Sequence, residues 1–196
     1  MASTYNELGI ELMATGENAG TWGTKTNTNL NIIQQAAAGY QAIDVASGDV
    51  TLAMTDGAVS NARNMTLKFT GTLAANRTVN FPASVEKVFN VIDGTNHAGY
   101  TLTFKVTSAS GFLLCEGNNY ICHSDGTNMI KDHETRNWRT ITAAETVQAG
   151  AQLFVDTNGG AITVNLPAGT AGAVVAIKDY ANTFDTNNCT ISANGS

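Results

Sequence analysis

The chain has 196 residues, a net charge of −6 and 13% charged side chains, about half the charged share of an average soluble domain. A nucleic-acid partner is excluded because only 10 lysines and arginines are present to contact phosphates. No apolar run approaches the ~18 residues of a membrane span, and the first residues lack the pattern of a secretory signal, so we expect no membrane insertion and synthesis in a cytoplasm.

Neutral residues supply most of the polarity of the chain. There are 27 threonines, 21 asparagines and 19 glycines. This composition favours strands and tight turns over surface helices, which are usually rich in Glu, Lys and Arg. We therefore predict a mainly β fold.

Residues 1–39 contain the clearest helical pattern. A loop of small residues carries Trp22, and a helix is predicted over residues 26–38, with Thr26 or Asn27 as its cap and Gly39 beyond its end. An apolar stripe runs along it at spacings of 3, 4 and 3, formed by Leu30, Ile33, Ala37 and Tyr40. Two heptads are too short for a free-standing coiled coil, so the stripe must pack on the β part, a second copy or a partner.

From residue 40 onward, apolar and polar residues alternate with period two. The alternation predicts half-buried strands at residues 65–69, 102–106 and 162–166, and two more continuous apolar runs predict buried strands at 88–92 and 173–177. Turn signals separate the strands, among them Thr70-Gly71, Asp93-Gly94, Asp125-Gly126 and Asn158-Gly159-Gly160. A hairpin is predicted around Asn118-Asn119, which would place Cys115 opposite Cys122.

An internal repeat divides the β part. Residues 69–83 match residues 154–168 at an offset of 85 without a gap, and seven of the fifteen positions are identical. We therefore predict two copies of one antiparallel β module, at residues 40–134 and 135–196. The second copy is incomplete, which indicates either a longer chain or missing strands supplied by another chain.

No pattern in the sequence predicts catalysis, a cofactor or a metal site. The three histidines belong to no nucleophile, phosphate-loop or zinc motif, and their spacing from Cys115 and Cys122 fits no zinc site. We expect a protein that is not an enzyme, with a fibre-borne polysaccharide hydrolase as the enzymatic alternative. Glycan binding would use exposed aromatic residues, with Trp138, Tyr100 and Tyr120 as candidates; the competing interpretation is that Trp138 packs at the boundary of the two modules.

The stretch GENAGTWGTKTNTNLNIIQQA, residues 16–36, resembles the N-terminal segment of tail-fibre-like structural proteins of marine tailed bacteriophages. Residues 4–12 fit the same opening. The β modules are similar to the repeats of that group in three motifs, Ala62-Arg63-Asn64, Thr78-Val79-Asn80-Phe81-Pro82 and Ser124-Asp125-Gly126-Thr127-Asn128. The resemblance covers nearly the whole chain, and its N-terminal motif is the more specific part.

The resemblance implies a homotrimeric virion component, the N-terminal part of a tail fibre or similar appendage that supports host attachment. Residues 1–39 would dock to other virion proteins of the tail, baseplate or neck, through Trp22, Leu30, Ile33, Ala37 and Tyr40. A host surface glycan is a further candidate partner. The alternatives are a capsid decoration protein and a carbohydrate-binding surface β module.

Overall fold

The computed structural model describes residues 2–193 and is mainly β. Two short antiparallel strands, β1 (Thr4–Tyr5) and β2 (Glu11–Leu12), precede helix α1 (Trp22–Ala38). The prediction that the helix begins at residue 26 is wrong, because the chain enters it through a backbone turn at Thr21 that uses no side-chain cap. The predicted end is confirmed, since the backbone N–H of Gly39 donates the last bond to Gln35.

The first six strands after the helix form three successive coils. Each coil contributes one strand to a first sheet and the next strand to the opposite sheet. β3, β5 and β7 pair in parallel in the first sheet, and β4, β6 and β8 pair in parallel in the second. A short 3-10 helix, Asn61–Arg63, lies between the first and second coils. The strands are β3 (Tyr40–Asp44), β4 (Val50–Thr51), β5 (Thr66–Thr72), β6 (Arg77–Phe81), β7 (Glu86–Asn96) and β8 (Leu102–Val106).

Three antiparallel strands complete this first unit. β9 (Gly111–Leu114) pairs with β8, while β10 (Asn119–Asp125) lies between β7 and β11 (Met129–Thr135). The sheets therefore contain five and four strands. The predicted turn at Asp125-Gly126 is confirmed, and the Asp125 carboxylate accepts hydrogen bonds from the backbone N–H groups of Thr127 and Asn128.

A second unit repeats the coil arrangement. β12, β14 and β16 pair in parallel in one sheet, and β13, β15 and β17 in the other. Together the two units form a β-solenoid-like body. The strands are β12 (Trp138–Ile141), β13 (Glu145–Thr146), β14 (Gln152–Val155), β15 (Ile162–Asn165), β16 (Ala176–Asp179) and β17 (Cys189–Ser192).

The prediction that the modules are antiparallel is wrong for the coils. Each short turn leads the chain into the opposite sheet instead of back along the same one, so a strand meets the strand of the next coil running in its own direction. Alternation with period two does not reveal this difference, because side chains alternate between faces in both kinds of sheet. Among the described strands, the antiparallel pairs are β1–β2, β7–β10, β8–β9 and β10–β11.

The predicted hairpin around Asn118-Asn119 is also wrong. β9 and β10 belong to different sheets, so the segment between them crosses the molecule. Cys122 packs in the core of the first unit and Cys115 in that of the second, and both thiols are free. A bridge between them is therefore absent from the structure.

Two predicted turns and two predicted buried strands differ from the structure. Thr70-Gly71 and Asp93-Gly94 lie inside β5 and β7 and are not turns. In residues 88–92 only alternate side chains point inward, because the outer face of the sheet is open to solvent: Phe89 and Val91 are buried, whereas Val88 is 50% exposed. The run 173–177 contributes only the start of β16, and its Val174 is exposed.

Phenylalanine rings join the two sheets of the first unit. Phe69 and Phe89 from one sheet make edge-to-face contacts with Phe104 and Phe81 from the other, at ring-centroid distances of 4.9–6.0 Å. Each such pair stabilises the fold by about 0.5–1.5 kcal/mol beyond the burial of its surface. The second unit has a smaller core without phenylalanine in its buried centre, formed by Cys115, Ile141, Val147, Ala151, Leu153, Val155, Ile162 and Val164.

Gly39 joins α1 to β3 where there is no room for a side chain. A Cβ at Gly39 would collide with Oδ1 of Asn64 and the carbonyl oxygen of Gln35, whereas a Cβ at Gly48 would meet nothing within 4 Å. We expect Gly39→Ala to lower the free energy of unfolding by about 1–3 kcal/mol and Gly48→Ala to change it by less than about 0.5 kcal/mol. Guanidinium unfolding of the two variants checks this, and equal stabilities would contradict it.

Candidate functional site

All five residues predicted to dock are exposed to solvent, but Tyr40 begins β3 and does not continue the helical stripe, because α1 ends at Ala38. We call these five residues the docking stripe: Trp22, Leu30, Ile33, Ala37 and Tyr40. Ala37 is exposed, and the four larger side chains are 48–64% exposed. Trp22 is the most exposed of the four larger side chains.

The opposite face of α1 binds the chain itself. Ile32, next to Ile33 of the stripe, is fully buried on this face. The side-chain amide of Asn29 exchanges hydrogen bonds with the backbone of Glu11, and Nζ of Lys25 lies 2.9 Å from the Glu11 carboxylate. The hydrogen bond from Lys25 lowers the pKa of Glu11. Because Lys25 is the only charged residue of α1, the exposed face of the helix is uncharged.

Arg63 ties the N-terminal segment to the first unit. Its side chain is fully buried, and its guanidinium donates to the carbonyl oxygens of Leu8 (2.7 Å), Thr55 (2.8 Å) and Ala58. Burial lowers the pKa of the guanidinium, and the three carbonyl dipoles replace its water. Gly9 passes close by with a φ of +69°, and a Cβ there would lie 2.5 Å from Nη2 of Arg63.

The three histidines have different surroundings. His97 is buried, with Nε2 2.8 Å from Oδ2 of Asp93 and Nδ1 without a hydrogen-bond partner. His123 pairs with Asp132 on the surface, and His133 is exposed. Within residues 2–193, no three His, Cys, Asp or Glu side chains are grouped in a way that would hold a metal ion.

The cysteine thiols lie in apolar surroundings. Burial raises the pKa of Cys115 and of Cys122 to about 12, and it raises the pKa of Cys189 as well. A thiol is a nucleophile only as the thiolate. The three side chains therefore act as small apolar residues at neutral pH.

A polar cleft of about 650 Å³ lies between the two units. Arg139 occupies its wall, hydrogen bonded through both terminal nitrogens to Glu145 and 3.7 Å from Glu116. Glycoside cleavage needs one carboxyl group as an acid and a second, separate carboxylate. Here both carboxylates are ion-paired to the same guanidinium, so the cleft does not present that arrangement.

The aromatic residues named for glycan binding are separated by the fold. Tyr120 is buried, and its hydroxyl accepts a hydrogen bond from the backbone of Cys115. Trp138 begins the second unit and lies 43% exposed on the outer face of its sheet.

Trp138 belongs to a row of three aromatic rings, called the aromatic strip below. The ring centroid of Phe154 lies 4.8 Å from that of Trp138 and 6.0 Å from that of Tyr180. Nζ of Lys178 lies 5.7 Å from the ring centroid of Phe154. Sequence reasoning missed Phe154 and Tyr180. The alternation of β14 contained the signal for Phe154, which stands between the inward-facing Leu153 and Val155.

We expect Arg63→Lys to lower the free energy of unfolding by about 2 kcal/mol or more. The ammonium keeps the charge but does not span three carbonyl groups, so buried acceptors lose their donors. Arg136→Lys, at an exposed position, should change stability by less than about 0.5 kcal/mol. Guanidinium unfolding measures both changes, and hydrogen exchange should show faster exchange of the β1–β2 amides in Arg63→Lys alone. Unchanged exchange there would contradict the tethering role.

Within residues 2–193, no helix combines the length and the apolar character needed to cross a membrane. Comparison with known proteins found no match to the chain among family models, curated sequences or solved structures.

Proposed function

We propose that the chain is a structural protein of a bacteriophage virion and forms the N-terminal part of a tail fibre or similar appendage. Residues 1–39 dock to other virion proteins, and the β-solenoid-like body supports host attachment. The working assembly is a homotrimer in the virion. The resemblance of residues 16–36 to phage tail-fibre-like proteins is the origin of this proposal.

The exposed docking stripe is the observation that carries the proposal. A surface helix in water normally presents charged residues, but the outer face of α1 presents Trp22, Leu30 and Ile33 among neutral polar side chains. Burying that face removes apolar surface from water at about 25 cal/mol per Å² and requires no charge to be desolvated. Such a face is suited to a protein partner.

The body suits a passive, elongated component. We propose that the two units are copies of one module, because the offset of 85 residues places β5 on β14 and β6 on β15, and each pair has the same parallel neighbours. Stacked coils lengthen a shaft with contacts between neighbours only. No cofactor or enzymatic step is part of this role.

We expect the double variant Leu30→Ser/Ile33→Ser to fold normally and to fail to enter virions. Both side chains are exposed, so the monomer loses little, whereas docking loses two buried apolar groups, about 3 kcal/mol or 100-fold in affinity. The measurement is copy number in purified particles by quantitative mass spectrometry. Light scattering of the free protein reports whether the same residues also hold the trimer.

The matched control is Val88→Ser/Val174→Ser, which removes two similarly exposed apolar side chains from the β body. Normal copy number for both double variants would refute docking through the stripe. Point variants are preferable to removal of residues 1–39, because that deletion also removes two hydrogen-bond acceptors of the first unit, the Leu8 carbonyl oxygen that binds Arg63 and Oε1 of Gln35 that binds Ser60. A copy number on the scale of the capsid lattice would indicate the decoration protein instead.

A carbohydrate-binding module is the second candidate, and the aromatic strip is the observation that favours it. Exposed aromatic rings with nearby amide and cationic groups are suited to stacking on sugar rings. If this role is correct, glycan-array binding by the full chain should be lost in Trp138→Ala and retained in Tyr100→Ala. Tyr100 is similarly exposed but lies outside the strip. If the unmodified chain binds no glycan, the carbohydrate-binding role is refuted and the docking role remains.

A further inference from the structure

Three side chains meet at the junction of the two units. One carboxylate, that of Glu134 in β11, contacts an amine with one oxygen and an amide with the other. Nζ of Lys131 lies 3.1 Å from Oε2, and Nδ2 of Asn118 lies 3.0 Å from Oε1. The fold brings these groups together from β11 and from the turn that precedes β10.

The surroundings of the Asn118 amide are suited to nucleophilic attack at its carbonyl carbon. The side chain is fully buried, and its carbonyl oxygen accepts a hydrogen bond from the backbone N–H of Asn137 at 3.0 Å. A donor at this oxygen stabilises the negative charge that develops when a nucleophile adds to the carbonyl carbon. The amide nitrogen, which would be the leaving group, points at Glu134 and at the carbonyl oxygen of Gly150, 3.4 Å away.

Glu134 is placed to move protons between the two nitrogens. Partial burial opposes its ionisation, but the hydrogen bonds from Lys131 and Asn118 outweigh that effect and lower its pKa. The carboxylate is therefore in the basic form that a proton acceptor requires at neutral pH. Lys131 also lines a second cleft, of about 630 Å³, through which a small product can leave.

We propose that Lys131 and Asn118 form an intramolecular isopeptide bond, with Glu134 as the catalytic proton shuttle. The ε-amine of Lys131 is the nucleophile and the side-chain amide of Asn118 is the acyl donor. The bond forms within the folded chain and requires no oxidant, metal or cofactor.

The reaction balances with these groups alone. Glu134 takes one proton from the Lys131 ammonium, and the free amine adds to Cγ of Asn118 to give a tetrahedral oxyanion at Oδ1. Glu134 then returns the proton to Nδ2, the Cγ–Nδ2 bond breaks, and ammonia leaves. The new amide nitrogen loses its extra proton to the ammonia, so the net products are an isopeptide bond and one ammonium ion.

The cross-link would brace the first unit at its contact with the second, since Asn118 and Lys131 both belong to the first unit. Asn118 already connects the first unit to Gly150 of the second. A covalent bond from Asn118 to β11 closes a loop in the unfolded chain, which stabilises the folded state as a disulfide does. An amide link has the further property that reducing conditions do not break it.

Intact-mass spectrometry of the full chain, after incubation at neutral pH, is the first test. The cross-linked chain should be lighter by one ammonia. Trypsin should fail to cleave after Lys131 and should release residues 106–136 as one peptide, lighter by the same amount and resistant to fragmentation between Asn118 and Lys131. A chain of full mass that trypsin cleaves after Lys131 would overturn the proposal and leave the three groups as a hydrogen-bonded bridge.

Lys131→Arg is the decisive variant, because arginine keeps the ion pair with Glu134 but is not a nucleophile at neutral pH. It should have full mass, as should Glu134→Gln, while the control Lys105→Arg should still lose ammonia. Cyclisation of Asn118 onto its own backbone also releases ammonia but does not need a lysine. Loss of ammonia that persists in Lys131→Arg would therefore contradict the isopeptide bond, whether or not Glu134→Gln folds.

Discussion

Parallel hydrogen bonding between successive coils is the interaction on which the body of the molecule depends. Each turn carries the chain to the opposite sheet, so the backbone groups of one strand find their partners in the strand one coil later. The same geometry sends alternate side chains of both sheets into one shared interior. β16 and β17 have a neighbour on one side only within residues 2–193, which leaves their outer edges open.

The N-terminal segment is attached to this body mainly by polar contacts. Arg63 donates to the carbonyl oxygen of Leu8, and the backbone N–H of Ser60 donates to Oε1 of Gln35. Within the segment, Glu11 binds Lys25 and Asn29 on the inner face of α1. Lys25 carries the only charge of the helix, and it lies on the side that faces β2. The outer face is left apolar and neutral, and this division of the helix underlies the proposed docking role.

The junction between the units has a different character from their interiors. Asn118 is buried among polar groups of both units, and Cys115, although it directly follows β9 of the first unit, packs in the core of the second unit. The units are therefore joined by shared contacts and do not meet through a flexible linker. The proposed isopeptide bond would brace the first unit at Asn118, the residue that contacts Gly150 of the second unit, as suits a component that bears load.

Local sequence patterns determined the elements of this protein, and tertiary structure decided how they pair and which faces are covered. Alternation placed β5, β8 and β15, and Gly39 marked the end of α1, because both signals depend on residues adjacent in the chain. Those patterns could not predict the direction of strand pairing, the separation of Cys115 from Cys122 or the burial of Ile32. Each depends on where a distant segment returns, and a side-chain period is the same whichever neighbour the strand or helix finally meets.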